Sequence, residues 1–369
     1  MAMALKQIHK LVLLVMAMVL LCVGSGFSAD KSALRPIVSP ELLQAAGLKM
    51  IWQNKLPTRS AESLDKLLVL DNRVYVLSDR NFLISMDSGN GKVLFSKQLA
   101  NAGLPIIGLE RYDREVFLIA GNKLFEINPE LGSVVSSTQL KFSAACPAAR
   151  NKSFFYVAST NSLLYAMRAG DKVRNHKTSA YNNSVVTCVI ADEGFVVFTT
   201  SAGDCICVSV DLSERLWQFN AADSIVGPAI RDGNTLVLAS RDANLYRLDI
   251  TKGKLIWKYQ AGDELQNAPV VTRNLIYQYV HNKGVTALNK KTGSVVWQLD
   301  NGLNVLSEYG GRTYVITRDK TLVVMDNKQA RRLYTVNFAE VSGYAVNIAD
   351  ARIYISADDG RIGCVRPVK

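Results

Sequence analysis

Two stretches forty residues apart, "LDITKGKLIWKY" at 248–259 and "LNKKTGSVVWQL" at 288–299, share a polar turn, a glycine, two apolar residues and a tryptophan. Self-similarity at a fixed period constrains a fold more tightly than composition does. Apolar alternating runs are anchored at Tyr75, Phe117, Tyr156, Val197, Val237, Tyr277, Tyr314 and Tyr354, spaced 42, 39, 41, 40, 40, 37 and 40 residues apart. A second column, Phe95, Ser136, Asn175, Trp217, Trp257, Trp297 and Tyr334, keeps the same rhythm at 41, 39, 42, 40, 40 and 37. Two independent columns therefore define one repeat, present eight times.

Within a unit the pattern is entirely β. "APVVT", "LIYQYV", "GVTALN" and "SVVWQL" are short runs rich in β-branched and aromatic residues, separated by "RN", "HNK" and "KKTG". No unit holds ten residues of helical period, which excludes crossover helices and a parallel sheet. Four antiparallel strands per repeat and eight repeats predict an all-β chain folded as an eight-bladed β-propeller.

A blade is a small twisted sheet that cannot bury its faces alone, so each repeat must offer its neighbour the same large apolar plug. Trp52, Trp217, Trp257 and Trp297 are read as those plugs, on outermost strands. Gly253 and Gly293 stand in the preceding turns, where a positive φ costs glycine nothing. The other reading of the tryptophans is an aromatic box for a ligand. The last repeat supplies three strands and stops at Lys369, while "LKMIWQNKL" near the start is a lone outer strand carrying Trp52. The two ends are therefore expected to share a blade. Before that strand, Ser39, Pro40 and Gly47 mark the cap, first turn and stop of a short helix.

The predicted organisation is a signal peptide at 1–29, an N-terminal segment at 30–47 and the propeller at 48–369. Lys6 and Lys10 precede an apolar run from Leu11 to Val23 followed by "GSGFSAD". A basic start, an apolar core too short for a comfortable membrane span and a small-residue exit describe a secretory signal. Leu21 stands just before Cys22, where lipoprotein processing wants a small residue, so lipidation there is disfavoured. Beyond the signal, Cys146, Cys188, Cys205, Cys207 and Cys364 show no CxxC spacing and read as buried small apolar residues. His176 and His281 lack ligand-spaced companions, which argues against zinc and against a His-based triad.

The turn-plus-tryptophan motif, plainest in "YRLDITKGKLIW" and "TALNKKTGSVVW", resembles the repeat of quinoprotein-type (PQQ-like) propellers. At eight blades behind a signal peptide, the chain is similar to the BamB family of periplasmic scaffolds that help insert outer-membrane β-barrels. That resemblance implies an envelope location, periplasmic or membrane-peripheral, and a partner in the outer-membrane assembly machinery. The disfavoured lipid site departs from that family, whose members are lipoproteins. The alternative within the same repeat type is a quinone-dependent oxidoreductase, but such enzymes resemble this chain in repeat only. Their adjacent cysteine pair is missing, and no set of carboxylates suggests the accompanying Ca²⁺. No cofactor, metal or catalytic residue is assigned. A propeller glycosidase would need paired carboxylates at one channel mouth, and a sialidase an Asp-box repeat, which is absent.

Charge gives one positive indication of a partner. Formal net charge is +11, about +9 once Lys6 and Lys10 depart. Turns joining first to second and third to fourth strands share one rim, and there Lys290, Lys291, Arg331 and Arg332 form the core of an expected basic surface, joined by Arg150, Lys152, Arg168, Lys172 and Arg174. The opposite rim collects Asp223, Asp263, Glu264, Asp300 and Glu340. A monomer with two electrically distinct faces is expected, the basic one meeting either solvent alone or an acidic protein or anionic envelope surface. Nucleic acid is excluded as a partner, because the basic residues are not interleaved with stacking aromatics.

Overall fold

The computed structural model describes residues 34–58, 62–180 and 182–368. Contacts divide the chain at residue 35, and the second unit, 36–369, is the one treated below. The expectations for the signal peptide and for Cys22 lie outside the described residues. Among the described residues no helix is long and apolar enough to cross a membrane.

Eight four-stranded antiparallel sheets account for the unit. Seven are continuous in sequence, beginning with Leu64–Leu70, Arg73–Ser78, Phe82–Asp87 and Val93–Gln98 in blade one. The eighth combines Gly343–Ala345, Ile353–Ser356 and Arg361–Pro367 with Leu48–Lys55 as its outer strand, so the chain ends close the ring as expected. First strands of neighbouring blades approach one another, which sets them around the central channel. Second and third strands are the most buried, as in Val196–Thr200 and Asp204–Val208 of blade four, because both of their faces meet adjacent blades. The eight anchor residues all lie on second strands, and Tyr75, Tyr156, Tyr277, Tyr314 and Tyr354 are at most 2% exposed.

The predicted helix is Pro40–Ala45. The Ser39 hydroxyl accepts the Leu42 amide, and Gly47 follows at φ +65. It buries Leu43 against the outer strand of blade seven, Arg331–Asn337, within an apolar cluster that includes Val336 and Phe338. Blade eight has no hairpin between its third and outer strands, so nothing there can receive the blade-seven residue Tyr334, which stays 39% exposed. The helix covers the adjoining gap instead.

Candidate interaction surface

Where the column carries a tryptophan, that residue docks its blade on the next. Trp52 Nε1 donates to the carbonyl of Ser88, Trp217 Nε1 to that of Ile250 and Trp257 Nε1 to that of Lys290, each at 3.0 Å. The indole faces lie against Gly91, Gly253 and Gly293 of the following blade's turn, where an added Cβ would fall 2.4, 2.4 and 2.7 Å from ring carbons. Glycine is thus required by the neighbour's ring as well as by φ values of +74, +64 and +72. The repeat sets a glycine and a tryptophan in one turn, but the contacting pair comes from two different blades. Trp297 meets a turn without glycine and donates to Asn327 Oδ1 at 3.0 Å.

Strand register corrects one member of the column. Trp257 stands opposite Arg247, and the equivalent pair in blade three is Ala166 with His176, not Asn175. His176 therefore occupies the docking position toward blade four, near enough to Asp211 for its charge to help lower that carboxyl, after the hydroxyls of Ser209 and Ser213.

Blades two and three are where the plug is lost. Ser136 stands in the column of blade two, and its hydroxyl donates to Glu126 Oε1 at 2.5 Å. In place of a ring, Lys172 of blade three enters, its Nζ 2.7 Å from Glu126 Oε1 and 5.0 Å from the centre of the Phe155 ring. Arg150 reaches Glu126 Oε2 at 3.5 Å, pairs with Glu115, and lies 4.6 Å over the same ring. Glu126 is only 4% exposed. A buried carboxylate needs such compensation, since an unpaired charge at this depth would be strongly destabilising.

Beside this cluster, the outer part of the junction is open as a groove of about 670 Å³. It is lined by Lys141, Phe142, Tyr165, Arg174, His176 and Lys177. Phe142 and Tyr165 stack with ring centres 4.5 Å apart at 19°, and Arg174 lies 5.5 Å over Tyr165. Lys141, Arg174 and Lys177 take part in no ion pair among the described residues. Leu131, Val134, Val135 and Val173 are exposed close by in sequence, Leu131 by 67%. The outer strand of blade two, Val134–Gln139, also leaves one backbone edge unpaired.

The basic rim expected from sequence is less uniform than its cations suggested. Lys290 Nζ is held by Asp232 Oδ1 at 3.0 Å, beside Arg247 on the other oxygen at 3.2 Å. Arg168 pairs with Asp171, and Arg73, Arg111 and Arg231 pair with Glu130, Asp71 and Asp192 on that rim. Lys291, Arg331 and Arg332 are exposed and form no ion pair among the described residues. On the opposite rim Glu264 pairs with Arg241 and Glu340 with Arg361. The expected division into two electrical faces is therefore blunted, because carboxylates, most of them on the turns of neighbouring blades, neutralise much of it locally.

The five cysteines of the described residues are free, four of them buried. Burial pushes Cys188 up to about 11 and Cys207 up to about 12, so these thiols stay protonated at neutral pH. No group of His, Cys, Asp and Glu among the described residues is arranged to hold a metal ion.

The family model described as outer membrane protein assembly factor BamB matches residues 42–219 and 209–366. No curated protein matches the sequence. Among solved structures, BamB from Moraxella catarrhalis superposes with a TM-score of 0.66 at 14% identity, covering 86% of this chain and 99% of that one. The computationally designed Ika8 protein superposes with a TM-score of 0.68 at 15% identity, over the same shares of both chains. At such identities the structural likeness concerns the fold.

Proposed function

The chain belongs to the PQQ-like propeller family described as outer membrane protein assembly factor BamB, and from that premise we propose that it is an exported, non-catalytic scaffold that docks a protein partner during envelope assembly. The observation that carries the reading is the groove between blades two and three. There the repeat gives up its packing tryptophan, and Arg174, Lys141 and Lys177 surround an aromatic pair beside an unpaired strand edge. An extended segment bearing acidic and apolar residues fits that combination. Backbone pairing along an edge supplies affinity, and flanking pockets supply selectivity. Lys291, Arg331 and Arg332 offer a second basic contact on the rim.

A photo-crosslinking residue at Lys177, with one at Lys258 on the exposed outer strand of blade five as control, tests the reading in envelope extracts of the source organism. Crosslinking of an outer-membrane assembly component from position 177, reduced by Lys141→Glu with Arg174→Glu, is the expected result. Equal capture from both positions, or stoichiometric uptake of pyrroloquinoline quinone with Ca²⁺ and dye reduction, would overturn it. Reversing Lys291, Arg331 and Arg332 should slow association more at low salt than at high, because exposed charges steer encounter and are screened over about 8 Å at physiological ionic strength.

A further inference from the structure

Between blades one and two, on the channel side, lies a partly open cavity of about 170 Å³. Its walls are apolar, formed by Leu68, Leu77, Leu83, Leu109, Leu118 and the Tyr75 ring. For comparison, a cavity of about 150 Å³ lined by aliphatic and aromatic side chains takes up benzene. Two charged residues line the same cavity, Lys66 from the first strand of blade one and Glu110 from the first strand of blade two. Both are exposed to solvent, and neither has an ion-pair or hydrogen-bond partner, including each other, among the described residues.

Both strands break register where these side chains stand. Blade one shifts between Leu64 and Lys66, and blade two between Ile107 and Glu110. Gly108 at φ +70 makes the second shift possible, and a Cβ there would fall 2.7 Å from Pro147. Bulges of this kind re-aim side chains and gather beside binding sites. Glu110 is exposed as a residue, yet the protein atoms around its carboxyl desolvate it and push it up to about 6.

We infer that this cavity binds a free α-amino acid with an apolar side chain, the side chain entering the cavity, the ammonium meeting Glu110 and the carboxylate meeting Lys66. The charge balance selects the zwitterion. A simple cation would face Lys66, a simple anion would face Glu110, and a neutral hydrocarbon would leave both charges unanswered. The inference does not depend on the scaffold reading, since it concerns the channel and not the outer groove.

Isothermal titration of the full mature chain with L-leucine tests it, alongside N-acetyl-leucine, leucinol and aspartate. Saturable leucine binding with Kd on the order of 1 mM is expected, weakened about tenfold or more by Glu110→Gln and by Lys66→Met. N-acetyl-leucine and leucinol, each lacking one of the two charges, should bind weakly, and aspartate, lacking the apolar side chain, likewise. No saturation up to about 50 mM, equal binding of N-acetyl-leucine, or a loss in only one of the two variants would overturn the assignment. The comparison of the four compounds uses the unaltered protein, so the test stands even if a variant folds poorly.

Discussion

The indole Nε1 of Trp257 donates to the main-chain carbonyl of Lys290 across 33 residues and one blade boundary, at 3.0 Å. The same ring closes against Gly293, four residues before the next tryptophan of the repeat. One contact thus ties the outer strand of one blade to the turn of another, and the ring is held by a chain of such links.

Trp257→Ala should cost about 3–5 kcal/mol, the usual range for truncating a buried tryptophan, read by denaturant titration. Gly293→Ala should also destabilise, because a Cβ would sit 2.7 Å from the ring and φ is +72. With the ring already removed, the glycine substitution should cost only its backbone strain, about 1–2 kcal/mol. Strictly additive losses would refute the contact.

Deleting residues 30–56 removes both the outer strand of blade eight and the helix that covers the blade-seven side. The truncated chain should lose its single cooperative thermal transition. A melt that superimposes on that of the mature protein would mean that the ring is not closed by this strand.

Lys172→Met leaves Glu126 buried with the Ser136 hydroxyl and, for charge, only the more distant Arg150, and should cost about 3 kcal/mol, as breaking a buried pair by removing one partner does. Replacing both together, Glu126→Leu with Lys172→Met, should restore much of that loss, because two apolar side chains need no charge compensation. Chemical denaturation of the two variants decides between an ionic plug and incidental contacts.

Glu110 carries a folded-state value of about 6, raised from 4.5 by desolvation. A raised carboxyl favours the protonated folded state, so its contribution is fully present below 4.5 and is lost as pH rises through 6. Glu110→Gln should therefore match the parent in stability at pH 4 and exceed it at pH 8, in paired urea titrations at the two values. The same stability difference at both pH values would show that the carboxyl is not desolvated.

Several features are legible in the sequence because they are written locally and repeated. Alternation within five residues marks a strand, "KKTG" marks a turn, and the forty-residue spacing of Val237, Tyr277 and their equivalents counts the blades. Closure is legible too, since a repeat lacking one strand at the C-terminus and a lone strand bearing Trp52 at the N-terminus complete each other. The column slips by one residue at Asn175, because a weak repeat without an aromatic residue gives no local mark, and only pairing with Ala166 identifies His176.

What the tertiary structure alone decides is everything that depends on two blades at once. Repeat spacing marks the glycine of turns such as those at Gly253 and Gly293, but not that a preceding blade's ring lies against it. Ser136 reads as a gap in the column, and only the approach of Lys172, Arg150 and Phe155 around Glu126 shows an ion cluster in the ring's place. The basic turns read as unbalanced, yet Asp232 and Asp192 lie within reach of Lys290 and Arg231 across blade boundaries in the folded chain. Lys66 and Glu110, far apart in the chain, meet at one cavity through two strand bulges that leave no periodic trace. The division has a physical cause. Periodicity records the backbone geometry that every repeat must share, whereas charge pairing and cavities arise from side chains brought together across blade boundaries, where each junction solves its own packing problem.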